Sequence, residues 1–152
     1  MKKGYGACPA TCGELVQGYS NKIECISSYC IDVFSRAVIS EGTGMSNRNI
    51  KNKSKSLEAI AYVLDHFDID RSWLDRLSLS IRSSIPTGKG MASSTADIGA
   101  SIMAILDYLD QDMEPDLISK IVARVEPTDS IYNEMGQIKD QLKDLDLNSK
   151  EV

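Results

Sequence analysis

The sequence predicts an α+β domain in which antiparallel strands come first and helices pack on them. Three observations lead there. The first forty residues alternate and are rich in Val, Ile, Tyr and Cys, with glycines at the turns. A second alternating run, Leu77 to Ile81, stands alone near the middle. Before and after it, apolar residues recur at helical spacing.

Strands are expected near 3–8, 13–20, 22–29 and 31–40, paired as an antiparallel meander. The stretch 42–56, GTGMSNRNIKNKSKS, is polar, glycine-punctuated and locally basic, which is loop chemistry. Leu57, Ile60, Ala61 and Leu64 predict a helix near 55–67. Leu77, Leu79 and Ile81 alternate with serine and predict a strand near 76–83. A second helix, near 91–109, carries Ile98, Ile102, Ile105, Leu106 and Leu109 on one stripe. A third, near 115–125, carries Leu117, Ile118, Ile121, Val122 and Val125. Beyond Pro127 the texture becomes highly charged, with Ile138, Leu142 and Leu145 on one face of a predicted tail helix at 133–147. That helix either packs on the domain or serves a partner, including a second copy of the chain.

With 152 residues the chain suits one ordinary domain. Hydrophobic residues at 42% and charged ones at 26% give it a globular profile, with a core that aliphatic side chains must fill. The formal net charge of -5 argues against nucleic acid or an anionic membrane as the main partner, since both need a basic surface. No apolar run is long enough to span a membrane, and MKKGYGACPA has no apolar stretch of signal-peptide kind. A cytoplasmic location with reduced thiols is expected. Cys8, Cys12, Cys25 and Cys30 lack the tight pairing of a zinc site, so they read as small buried thiols. His66, the single histidine, reads as a solvated surface residue.

The segment richest in chemistry is PTGKGMASSTAD, Pro86 to Asp97, between a predicted strand and a long predicted helix. A helix start exposes unpartnered N–H groups and the positive end of its dipole. Gly88 and Gly90 let backbone approach an anion, Ser93 and Ser94 offer hydroxyls, and Lys89 adds a movable cation. Neither the G-x-x-x-x-G-K-[ST] nor the G-x-G-x-x-G pattern is present. Serines and glycines also cap helices merely to stop fraying, so the segment alone fits a phosphate cradle or a cap.

The segment does not stand alone. It resembles the ATP loop of the GHMP small-molecule kinases, P-x-x-x-G-[LM]-[GA]-S-S, through Pro86, Gly90, Met91, Ala92, Ser93 and Ser94. The N-terminal CPATCGELVQGY is similar to the first motif of that superfamily, a proline-led turn running into Gly13 and Glu14. With EPTDS at 126–130, these stretches look most like the L-threonine kinases of cobalamin assembly. The resemblance covers roughly residues 4 to 131. It implies the α+β N-terminal domain of a GHMP kinase, similar to the second domain of ribosomal protein S5, and transfer of phosphate from ATP to a small alcohol, L-threonine first.

The resemblance also implies roles for residues. Pro86, Thr87, Gly88, Lys89, Gly90, Met91, Ala92, Ser93 and Ser94 would wrap the ATP phosphates. Ser94 and Glu126 would hold Mg2+, for which one hydroxyl and one carboxylate suffice beside water and phosphate oxygens. Asp129 would orient the acceptor hydroxyl or take its proton. E-P-T-D is also good turn chemistry by itself. Thr11, Glu14 and Gln17 are substrate-side candidates, and the loop bearing Lys51, Lys53 and Lys55 can approach the nucleotide or simply be solvated.

Kinases of this superfamily continue into a second α/β domain that closes the cleft. Residues 132–152 do not resemble it, so the expectation is a domain at 1–131, a charged tail at 132–152 and no C-terminal kinase domain. Two rival readings stay open: another acceptor, such as homoserine or a mevalonate-like alcohol, or a non-catalytic nucleotide-binding or self-association module.

Overall fold

The structure, a computed structural model, describes residues 1–42, 44 and 53–126, with backbone alone at 13, 14, 16 and 23–26. Two long strands replace the four short ones that the pattern suggests. β1 (Lys3–Ser20) and β2 (Ile23–Glu41) form one antiparallel hairpin. Asn21 and Lys22 close it with φ of 50° and 69°, the left-handed pair that a two-residue hairpin turn requires. The interruptions expected around Pro9 and Tyr29 are irregularities within the ladder. Register shifts fall between Pro9 and Ala10, between Thr11 and Glu14, and between Glu14 and Val16. Pro9 has no N–H to donate, and an extra residue bends a strand without ending it. β3 (Leu77–Ser83) pairs antiparallel with the other side of β2, giving the order β1-β2-β3.

α1 (Ser54–His66), α2 (Ser93–Tyr108) and α3 (Pro115–Val125) start and end close to where the apolar spacing places them. A short 3₁₀ turn (Arg71–Asp75) links α1 to β3. α2 is the centre of the core and is buried on almost every side, because Ala96, Ala100 and Ala104 face the sheet while Ile98, Ile102 and Leu106 are enclosed. α1 contributes Ile60, Val63 and Leu64, and α3 contributes Ile121 and Val122. The domain is thus a helical layer on a three-stranded sheet.

The close seating of α2 on β1 depends on two glycines. A Cβ on Gly4 would stand 2.6 Å from the Tyr108 amide nitrogen, and one on Gly6 would stand 2.6 Å from that of Ala104. Both are nearer than a real Cβ comes. The helix therefore lies directly on strand backbone, and Tyr5 N–H donates to Asp107 Oδ2 at 2.8 Å. As β1 advances it runs toward the start of α2.

Cys8 is buried, as small thiols are expected to be, whereas Cys12 is half-buried and Cys30 exposed. Among the described residues no three His, Cys, Asp or Glu side chains are arranged to hold a metal. His66 is exposed and meets Phe67 edge-on at 4.9 Å. Among the same residues no helix is long and apolar enough to cross a membrane. The predicted tail helix 133–147 lies outside the described residues.

Candidate active site

The loop before α2 is anchored at its entry and open along its length. Ser84 N–H donates to the Phe34 carbonyl at 3.1 Å and Ile85 N–H to the Ser83 hydroxyl at 3.2 Å. The Ile85 side chain is buried in the core, and Thr95 is buried at the other end. Between them Pro86 to Gly90 are exposed. Gly88 and Gly90 have φ of 70° and 68°, and Ala92 has φ of 54°. These left-handed residues alternate with Thr87, Lys89 and Met91, whose φ is not positive. Alternation of that kind turns successive N–H groups toward one side, a concavity that suits anions. A Cβ at Gly88 or Gly90 would meet nothing within 4 Å, so backbone conformation rather than crowding is what selects glycine.

α2 itself starts bare. Ala92 occupies its N-cap position without a side-chain cap, and its first turn holds no acidic residue. The positive end of its dipole at that start suits an anion. A helix cap, the alternative the sequence allowed, would have used the Ser93 or Ser94 hydroxyl on the first amides of the helix. Instead Ser94 Oγ donates to Glu126 Oε2 at 3.0 Å.

Glu126, at the C-cap of α3, is 9% exposed. Its other oxygen, Oε1, accepts from Lys55 Nζ at 2.5 Å. One turn after Ser94 on the same face of α2, Asp97 accepts from Ser35 Oγ at 2.5 Å through Oδ1 and pairs with Lys53 through Oδ2. Lys53, Lys55, Ser94 and Asp97 border a cavity of about 190 Å³ between the first turns of α1 and α2. Two helix starts and two ammonium groups thus face two carboxylates. Added negative charge is welcome in such a site, and a hard cation finds hydroxyl and carboxylate oxygens together.

The structure brings together the loop, Ser94 and Glu126 of the sequence-predicted site. Thr11 is buried on β1 opposite Cys30, just beyond the Cys8–Ser35 pair that leads to Asp97. Gln17 is exposed, farther along the hairpin and opposite Ile26. Glu14 is described in backbone only, opposite Ser28, while Lys51 and Asp129 lie outside the described residues. Sequence reasoning passed over Ser35 and Asp97. The available signal was an aspartate inside the otherwise apolar run of α2, where an unpaired charge is costly to bury.

A family model for the GHMP kinases N terminal domain matches residues 54–140, over half of the chain. The chain belongs to the GHMP kinase family. Among curated relatives, the L-threonine kinase of Salmonella typhimurium is 34% identical over 123 residues, covering 81% of this chain and 40% of the relative. The L-threonine kinase of Citrobacter freundii is 31% identical over the same length, covering 81% and 41%. The chain therefore spans about 40% of the length of these relatives. Among solved structures, the mevalonate kinase of Methanococcus jannaschii superposes with a TM-score of 0.64 at 22% identity, over 80% of this chain and 45% of that one. The homoserine kinase of Cytophaga hutchinsonii gives 0.58 at 15% identity, over 83% and 41%. These likenesses bear out the α+β GHMP kinase fold expected from the sequence.

Proposed function

We propose that this chain is the nucleotide-binding part of a kinase that transfers the terminal phosphoryl group of ATP, with Mg2+, to the hydroxyl of L-threonine. One observation carries the reading: the Ser94 hydroxyl and Glu126 carboxylate meet at 3.0 Å beside an uncapped α2 start fronted by left-handed glycines. In this reading Pro86 to Ser94 hold the phosphates, and Ser94 and Glu126 are the protein ligands of the metal. Mg2+ would supply charge neutralisation on the transferring phosphates. Lys53 and Asp97 would fix the cavity floor. Asp129 would face the acceptor hydroxyl, and the bulged middle of β1, with Thr11, Glu14 and Gln17, would form the acceptor side.

L-threonine as acceptor is supported by the two curated relatives, whose names state that activity. Further support for the residue roles comes from the order of the three motifs along the chain. In this reading 1–131 is the N-terminal kinase domain, 132–152 is a charged tail, and the enzyme works in the cytoplasm.

The nucleotide half is tested by titrating Mg-ATP into the wild-type chain and into Gly90→Val and Ser94→Ala. Both variants should bind more weakly, the first because valine disfavours the left-handed backbone of Gly90 and the second through the metal. Equal affinity in all three sinks the cradle. The acceptor half is tested by joining the chain to a complete second kinase domain and following phosphate transfer to L-threonine, homoserine and mevalonate. A preference for either competitor removes L-threonine.

A further inference from the structure

Lys55 stands where a cation is not welcome by itself. It lies in the first turn of α1, whose dipole is positive there, and Lys53 occupies the N-cap just before it. What holds it is Glu126, at 2.5 Å. The two lysines differ in freedom. Lys53 is 29% exposed and pairs with an Asp97 that Ser35 also holds, whereas Lys55 is 47% exposed and touches a single carboxylate oxygen. Lys53 belongs to the floor of the cavity and Lys55 to its rim.

Both oxygens of Glu126 are engaged, one by Ser94 and one by Lys55. A divalent cation that takes Glu126 as a ligand beside Ser94 competes with the ammonium for the same carboxylate, because two cations held that close repel each other and weaken the ammonium's hold. The loosened ammonium then sits at the mouth of the cavity between the starts of α1 and α2, where a nucleotide phosphate is the available anion.

We propose that Lys55 is a phosphate-binding residue held by Glu126: it neutralises that carboxylate while no divalent cation is bound, and moves to a nucleotide phosphate when metal and nucleotide arrive. The proposal rests on the nucleotide reading above and adds a residue that exchanges partners within that site.

Two titrations on the full chain test it. The first compares ADP binding without metal in Glu126→Gln and in Glu126→Gln/Lys55→Met. With the carboxylate charge gone from both, the difference reports the phosphate contact alone. The double variant should bind about tenfold more weakly, the usual scale of one charge-assisted hydrogen bond. Equal affinities overturn the proposal.

The second titration measures Mn2+ binding without nucleotide, by electron paramagnetic resonance, in wild type and Lys55→Met. Loss of the competing ammonium should tighten Mn2+ several-fold, and unchanged binding overturns the holding role. Thermal unfolding checks that each variant is folded. Should Lys55→Met alone not fold, the Glu126→Gln pair still decides, because neither variant leaves a buried charge unpaired. If wild-type chain fails to bind ADP at all, the nucleotide reading falls and this proposal with it. If it binds and the paired variants match, only the proposal falls.

Discussion

Ser35 on β2 and Asp97 on α2 are joined by a 2.5 Å hydrogen bond that ties the sheet to the start of the helix that follows the glycine loop. Ser35 is fully buried and Asp97 nearly so, and Lys53 completes the carboxylate's partners. Ser101 Oγ donates to the Asp97 carbonyl at 2.7 Å, so both the side chain and the backbone of this residue are engaged.

Ser35→Ala should therefore cost about 1–3 kcal/mol, the penalty of leaving a buried acceptor short of a donor. Asp97→Ala should cost more, about 3 kcal/mol, because it also strips Lys53 of its partner. That figure is at the low end for a buried pair because the Lys53 side chain is 29% exposed and can recover water. Urea unfolding of both variants decides. Negligible losses in both variants would show that the contact does not bind helix to sheet.

The glycines of β1 make a sharper contrast. Gly6→Ala drives a Cβ into the backbone of α2, and neither a main-chain amide nor a carbonyl can step aside. The expected loss is about 3 kcal/mol, at the upper end for overpacking. At Gly18, on the same strand, an added Cβ would meet nothing within 4 Å, so Gly18→Ala should change stability by no more than about 0.5 kcal/mol. Thermal unfolding of the pair separates packing from strand propensity. Similar losses at both sites would refute the close seating of α2.

The helices were legible because each keeps an apolar stripe over several turns, and the loop was legible because its glycines, serines and lysine occur together. The strands were harder. Pro9 and the glycines near it read as turn residues, yet cross-strand pairing carries the ladder through them as bulges. The Ser35–Asp97–Lys53 cluster was illegible for a different reason. Its members lie 62 and 44 residues apart in the chain, and no local pattern encodes that they meet. Lys55 was visible only as one of several lysines in a basic loop. Its partner, Glu126, is what distinguishes it.

Asp65 offers a pH test away from the site. It accepts from Arg71 at 2.9 Å through Oδ1 and at 2.5 Å through Oδ2. The guanidinium hydrogen bond holds its carboxyl below the ordinary value of 3.8. Because the folded value is the lower one, the pair stabilises the protein above the unfolded value, and that contribution is lost as pH falls through the folded value. The stability gap between wild type and Arg71→Ala should thus be full near neutrality and close below pH 3.8. The pair is solvent-exposed, so the gap will be small. A gap that stays constant from neutral to acid pH would dissociate Arg71 from the Asp65 carboxyl.

The two carboxylates assigned to the chemistry should fail in different ways when removed. Glu126→Gln keeps the Ser94 hydroxyl contact possible but removes the charge that a metal needs. In the chain joined to a complete second domain, its loss should appear as a higher Mg2+ requirement that excess metal partly restores. Asp129→Asn keeps shape and gives up the oxygen that would accept or align the acceptor's proton. Its loss should fall on kcat, about a hundredfold or more on the usual scale of general-base removal, with nucleotide affinity nearly intact. Steady-state kinetics across Mg2+ concentrations, with nucleotide titration alongside, reads both. If Asp129→Asn turns over normally while Glu126→Gln shows the metal effect, the phosphate side of the reading stands and the acceptor's base must be sought elsewhere. If neither variant changes turnover, EPTD is a helix-ending turn and the catalytic assignment of both carboxylates is wrong.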